Sequence, residues 1–385
     1  MSEFYAYNNL IEALDQKIFD ELNAEIKVDK CNHKITGQAL FSILLYNIIE
    51  TNRLSLRVME ESFNSHTVNI KHKNKAIKMS KSGIAHRLST IDSSYFEKLL
   101  QSVVKSMSKH FKKSSKYNVI QCDSTVITLS SKLAKCGASV ASGPRKQVKM
   151  TMALNKIPVQ TSISAGSENN ISEEISLKAL IKSICQSPKE IFVFDRGLTS
   201  RKAFLEFTDE QKMFVTRIKH NSRYNVLQNN LIAPIFTKTL EIIADQTILF
   251  LGRRKPYKTP FRLIEAKRLK DGSIIQFATN IHDLSAEEIT EIYRSRWDIE
   301  VFFKFIKQHL NAKHFLSRSE NGVKVVLYVM LIAATLMLTF KHLNKIESYL
   351  ITKMRLSEQI KRLITYHIIL LYENRSNDFK VEFLM

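Results

Sequence analysis

Between Tyr117 and Lys219 the chain passes through NVIQCDSTVITL, QVKMTMALN, IPVQTSISAG, EIFVFDRG and KMFVTRIK. These five short segments are rich in β-branched and apolar residues and are bounded by Gly, Pro, Asn or Lys. Runs of this kind read as strands. SEEISLKALIKSIC, between the third and the fourth, offers Ser172 as an N-cap, acids in its first turn and apolar residues at helical spacing, and a shorter helix falls near SRKAFLEF. Three strands, a helix, a strand, a short helix and a strand describe a mixed sheet with helices against it, an α/β architecture.

The flanks obey other periods. Residues 8–22, 37–50, 54–62, 82–91 and 94–110 carry apolar residues at helical spacing; in GQALFSILLYNIIE, Leu40, Ile43, Leu44 and Ile48 recur at intervals of three and four. The first 115 residues or so therefore read as all helical. SKSGIAHRLSTID has Ser80 or Ser82 as a cap and small residues in its first turn, which suits a recognition helix with His86 and Arg87 outward. An ordinary basic surface helix is the alternative. From about 219 to 284 the pattern is strand-like but less regular, with a basic cluster at Arg253, Arg254, Lys255 and Lys258, and reads as a β-rich insertion. A helix capped by Ser285 should follow and run on through YRSRWDIEVFFKFIK, and residues 317–385 read as helices. VVLYVMLIAATLMLTF, 16 residues long, is shorter than the roughly 20 a bilayer span needs and is expected to be a buried core helix.

Charge narrows the partners. Lys and Arg number 58 against 37 Asp and Glu, a net charge of +21, which favours polyanions. Residues 62–91, 98–122 and 124–167 contain no acid at all. One such window is usually a solvated face. Three in succession, with only Asp123 between the second and the third, point to nucleic acid. Four widely spaced cysteines match no zinc pattern and read as reduced thiols of a cytoplasmic protein, and the amino terminus lacks the basic and apolar regions of a signal peptide.

Against this basic background a few acids stand in unusual places. Asp123 lies in the middle of the first strand and Asp195 ends the fourth, although acids are poor strand formers and costly to bury unpaired. Each could merely end a strand or turn a loop. Adjacent strands could equally bring the two together, with Glu300 supplied from a helix. In YRSRWDIEVFFKFIK, read as a helix, Tyr293, Arg296, Glu300 and Lys307 fall within an arc of roughly 60°, leaving Phe302, Phe305 and Ile306 for burial. Three acids close together repel unless divalent cations neutralise them, and hard oxygen donors suit Mg²⁺ or Mn²⁺.

Asp123 on a first strand, Asp195 on a fourth, a β insertion and then Y-x2-R-x3-E-x6-K resemble the DDE transposases of bacterial insertion sequences, hairpin-forming cut-and-paste enzymes with an RNase H-like catalytic core. The resemblance implies a helical DNA-end-binding region at 1–116, a catalytic region at 117–316 and a helical carboxyl-terminal region at 317–385. It implies that Asp123, Asp195 and Glu300 are catalytic and bind Mg²⁺, with Mn²⁺ substituting. Tyr293, Arg296 and Lys307 would contact DNA phosphates, and Trp297, the sole tryptophan, would stack on a base drawn from the duplex or else pack in the core. His86, Arg87 and the basic cluster Arg253, Arg254 and Lys255 are further candidates for DNA contact. The implied partners are the double-stranded terminal inverted repeats of the element and its target DNA, engaged by a homodimer associated with the bacterial nucleoid rather than a membrane. Two rival readings keep the fold: a DNA-binding protein whose cleavage is lost, and a metal-dependent nuclease that does not join ends.

Overall fold

The computed structural model describes residues 14–360, apart from 33, 52–53, 65–67, 73–74, 77, 112–116, 129–137, 141–142, 165–171, 185–188, 232, 253–254 and 311–315, together with residues 379–383. The amino-terminal region contributes helices α1 (Gln16–Ile26), α2 (Gly37–Glu50) and α3 (Leu56–Asn64), strands β1 (Val68–His72) and β2 (Lys75–Ala76), and helices α4 (Lys81–Thr90) and α5 (Ser94–Ser108). Thr36 and Ser80 cap α2 and α4, each hydroxyl accepting a backbone N–H three residues on.

The central sheet begins with β3 (Asn118–Thr128), β4 (Ala138–Val140), β5 (Gly143–Asn155) and β6 (Ile157–Ser164). Helix α6 (Glu173–Ser183), β7 (Glu190–Phe194), α7 (Arg201–Asp209) and β8 (Met213–Ile218) follow. β3 pairs antiparallel with β5 and β5 with β6, whereas β7 runs parallel to both β3 and β8. The result is the expected mixed α/β sheet flanked by helices, with strands running β6–β5–β3–β7–β8. One face carries Ile120, Phe194 and Phe214 under Leu177 and Ile181 of α6 and Phe204 and Phe207 of α7. The other carries Ile191, Val193 and Val215 under Ile289. Burial on both faces explains why β7, EIFVF, is continuously apolar from Ile191 to Phe194 rather than alternating.

The insertion is not a separate body. Its strands β9 (Tyr224–Asn229), β10 (Ile235–Phe236), β11 (Leu240–Phe250), β12 (Phe261–Arg268) and β13 (Ile274–Thr279) extend the same sheet, because β13 pairs antiparallel with β8. Arg262 on β12 donates to both carboxylate oxygens of Asp245 on β11, at 2.8 and 2.6 Å, and to the backbone oxygen of Leu284. Both side chains are less than a tenth exposed. This pair ties the insertion to the segment leading into α8 (Ala286–Arg294), which Ser285 and Glu288 start with a capping box.

Helix α9 (Trp297–His309) and helix α10 (Glu320–Leu343) complete the main body, followed by a helical segment at 349–360. α10 contains the apolar run read as a core helix. It is long and apolar enough to cross a membrane, but 89% of its most apolar window is buried, against α2, α4, α5 and β6. Asn321, near its start, donates to the backbone oxygens of Leu88 and Ile91 and accepts from the Ser93 N–H. A Cβ at Gly322 would stand 2.2 Å from the Ser317 hydroxyl, so only glycine permits this approach.

Two expectations need correction. The amino-terminal region is not all helical and the carboxyl-terminal region is not only helices: β14 (Phe379–Phe383) pairs antiparallel with β1, and β1 with β2. β1 has only the two-residue β2 beside it locally, and β14 finds its partner some 300 residues earlier in the chain, so no local period announces either strand. The helix from Ser285 also does not run unbroken through the signature stretch. Ser295 donates its hydroxyl to the Ile292 carbonyl, and the backbone tightens to bonds three residues apart at Arg296 and Asp298, separating α8 from α9.

Removing one partner of the buried ion pair strands the other. Asp245→Ala is expected to destabilise the fold by about 3–5 kcal/mol, and combining it with Arg262→Met should recover most of that loss. Urea unfolding of the two variants beside the unmodified chain measures both effects.

Candidate active site

The site is set by strand register. β3 and β7 pair in parallel from Asn118 opposite Glu190 to Gln121 opposite Val193, a constant offset of 72 residues. Carried two residues further, that offset sets Asp123 against Asp195 at the carboxyl end of β7, the edge where open α/β sheets bind ligands. The Asp195 carboxylate accepts the Gly197 N–H at 2.7 Å, folding the loop back in an Asx turn.

A third acid joins them that the sequence reading treated only as part of a helix's first turn. β6 runs in the same direction as β3, so the helix after it starts at the same edge of the sheet. Glu173 is the first residue of that helix, α6, whose cap Ser172 accepts the Ile175 N–H at 3.2 Å. Ligand atoms of Asp123, Glu173 and Asp195 all lie within 4.8 Å of one another. The signal that could have found Glu173 is topological: an acid in the first turn of the helix that leaves a strand codirectional with β3.

Helix α9 forms the opposite wall. Arg296 donates to the Glu300 carboxylate at 2.6 Å and approaches the Asp123 carboxylate at 3.7 Å. Glu300 therefore stands one ion pair from the acidic cluster, on its rim. Lys307 donates to the Thr125 hydroxyl at 2.6 Å, two residues along β3 from Asp123. Tyr293 packs against Phe277, with ring centroids 5.0 Å apart, and lies under the Arg296 guanidinium at 5.7 Å. Four signature side chains thus gather around one end of β3 even though the helix bearing them is broken.

Trp297 is 61% exposed, which removes the core-packing alternative. It borders a cavity of about 400 Å³ lined also by Arg217, Arg268, Phe277, Tyr293 and Arg296. A larger cavity, about 810 Å³, opens at the other end of β3 between Phe111, Asn118, Ile157 and Phe302 and contains none of the clustered acids.

The remaining candidates divide. His86 is exposed on α4. Arg87 does not point outward: it is 3% exposed and donates to the backbone oxygens of Ile35 and Val28 and to Asp29 at 2.8 Å. It shares the buried face of α4 with Ile84 and Leu88, where its donors tie together the chain entering α2. Lys255 is exposed, and Arg253 and Arg254 lie outside the described residues.

Holding these acids together is electrostatically costly. Burial, the largest cause, pushes the Asp123 carboxyl up to about 7. The Ser124 N–H at 2.7 Å and the Arg296 charge oppose that rise, and Asp195 and Glu173 add to it. Glu173 is raised as well, first by burial and then by Asp195. A Cβ at Gly197 would fall 2.6 Å from the Glu173 carboxyl carbon and 3.0 Å from the Asp195 carboxylate, so the space among the acids is kept open by the absence of a side chain. Three convergent carboxylates around such a space are the hard, anionic donor set that a divalent cation takes.

Residues 114–336, more than half of the chain, match the family described as Transposase DDE domain. Over 300 residues, 76% of this chain and 78% of the relative, the sequence is 26% identical to a protein of Synechocystis named as a transposase for insertion sequence element IS4SA. A protein of Sinorhizobium fredii named as transposase y4zB is 30% identical over 156 residues, 40% of this chain and 44% of that protein. The chain therefore matches less than half the length of that relative. Among solved structures, a piggyBac transposase in a synaptic complex with hairpin DNA aligns over 98% of this chain and 85% of its own, at 13% identity and a TM-score of 0.49.

An acid whose pKa is raised by folding holds its proton more tightly in the native state, so native stability falls as pH climbs from the ordinary value of 3.8 through about 7. Asp123→Asn removes that ionisation. In EDTA at pH 8 the variant is expected to be more stable than the unmodified chain by about 1–3 kcal/mol. The advantage should vanish near pH 4, and thermal unfolding across that range checks the sign.

Proposed function

The chain belongs to the DDE transposase domain family, and on that premise we propose that it binds the terminal inverted repeats of an insertion sequence and moves the element by a cut-and-paste route. The observation that carries the reading is the convergence of the Asp123 and Asp195 carboxylates at one end of the sheet, faced by Arg296 at the cap of α9 and by Glu300 and Lys307 on that helix.

Asp123, Asp195 and Glu300 would hold Mg²⁺, with Mn²⁺ substituting. Bound divalent ions would supply Lewis-acid polarisation of the scissile phosphate and activation of the attacking oxygen. The protein's own share is positioning. Arg296 and Lys307 present their donors beside the carboxylates, where they can grip phosphate oxygens on either side of the cut and hold the strand in line. Tyr293, packed under Arg296, fixes the direction of that guanidinium. Trp297 offers its exposed ring as a platform for an extrahelical base, worth about 1–3 kcal/mol by stacking.

The reaction sequence asks one arrangement to serve several nucleophiles. Water first breaks a P–O bond at the element end and frees a 3′-hydroxyl. That hydroxyl attacks the opposite strand, forming one phosphodiester as another breaks and closing a hairpin. Water reopens the hairpin, and the regenerated 3′-hydroxyl attacks target DNA. The net charge of +21 suits long contact with duplex, to which exposed His86 and Lys255 would add. Two ends must meet before joining, so a homodimer on DNA is the expected assembly.

The full chain and its Glu300→Gln variant, incubated with Mg²⁺ or Mn²⁺ and labelled duplex carrying the flanking inverted repeats, provide the test. Hairpin-ended products from the unmodified chain alone are expected, with binding retained in the variant and cleavage reduced at least about a thousandfold. Undiminished cleavage by the variant would remove Glu300 from its role. Binding without cutting would mark a DNA-binding relic, and cut ends that never join would mark a nuclease.

A further inference from the structure

We infer that Glu173 is a direct ligand of the divalent cation at this site, completing with Asp123 and Asp195 the carboxylate set that the chain holds before DNA arrives. The inference rests on the reading of Asp123 and Asp195 as metal ligands and adds a residue that the sequence signature does not contain.

Three observations converge on Glu173. Its carboxylate, and not that of Glu300, lies within 4.8 Å of both aspartates, whereas Glu300 is engaged by Arg296 at 2.6 Å. Gly197, on the loop that Asp195 folds back, leaves open the volume between the Glu173 and Asp195 carboxylates that any other side chain would fill. The helix that carries Glu173 is also pinned at both ends. Ser172 caps its start. At its end the ammonium of Lys212, itself only 5% exposed, donates to the backbone oxygens of Ile181 and Ile184 at 2.9 Å each. A carboxylate at the first position of a helix anchored in this way is held at the cluster by the fold and not by a flexible loop.

Glu300 then has a different part from Glu173. Its partner Arg296 is also the guanidinium nearest Asp123, so the Arg296–Glu300 pair closes the DNA-facing side of the cluster. A phosphate accepting from Arg296 would free Glu300 to turn towards the cations. Glu173 needs no such release. The bland alternative is that Glu173 only complements the amide dipoles of its helix, a role that would not touch cation affinity.

Mn²⁺ affinity of the full chain without DNA, read by the electron paramagnetic resonance signal of free Mn²⁺, separates these roles. Glu173→Gln, nearly isosteric, is expected to weaken binding by at least about tenfold and by more than Glu300→Gln does. Gly197→Ala, which keeps every carboxylate but forces Glu173 aside, should weaken it as well. Unchanged Mn²⁺ affinity in a folded Glu173→Gln variant, with binding lost in Asp123→Asn, would overturn the inference and leave the proposed function standing. Unchanged affinity in Asp123→Asn would overturn both.

Discussion

Everything chemical in this molecule depends on the parallel register between β3 and β7. Successive side chains of a strand point to opposite faces, so a slip of one residue would turn Asp123 or Asp195 away from the other and destroy the pair. The register is enforced from outside the site. β7 places Phe192 and Phe194 in the phenylalanine cluster under α6 and α7 and Ile191 and Val193 in the aliphatic layer under α8, so a one-residue slip would exchange the two sets of side chains. A hydrophobic sandwich thus fixes the geometry of two charged groups that hydrophobic burial by itself would disfavour.

The cost of that arrangement is visible in its neighbours. Asp123 is desolvated and crowded by Asp195 and Glu173, and its relief comes first from the Ser124 N–H and then from Arg296, which divides itself between Asp123 and Glu300. A site so organised is most at ease when something positive enters it. The same logic runs in reverse along its rim. There Arg217 is half-buried and held low first by desolvation, with Tyr293 opposing and the charges of Arg196 and Arg268 adding to the fall. The two unfavourable clusters have opposite sign, as the proposed reaction of anionic phosphates at cation-bearing acids would require.

Much of this was legible from residue patterns. The five strand runs at 117–219 and the helices between them appear within a few residues of their expected limits, because alternation, β-branched content and serine caps are local signals. Asp123, Asp195 and the Arg296, Glu300 and Lys307 stripe were readable for a related reason: polar residues inside otherwise apolar elements stand out. What escaped notice was not local. Glu173 looks like any first-turn acid until the course of β6 is known. Arg87 looks like a surface cation until Asp29 and two carbonyls close over it. The break at Ser295 depends on a hydroxyl choosing a carbonyl within its own helix, which side-chain periodicity does not report.

The way the insertion joins the sheet bears on how such a chain could have grown. Because β13 adds to the outer edge of β8 and β12, β11, β10 and β9 all lie outside β13, residues can accumulate between β8 and α8 without disturbing any pairing between β3, β7 and β8. An edge is the one place where a sheet accepts new strands at no cost to its interior. The added strands also occupy an edge that would otherwise be open to other chains. Lengthening at this position is therefore a route by which such a sheet gains new surface while the pairings that bring Asp123 and Asp195 together stay fixed.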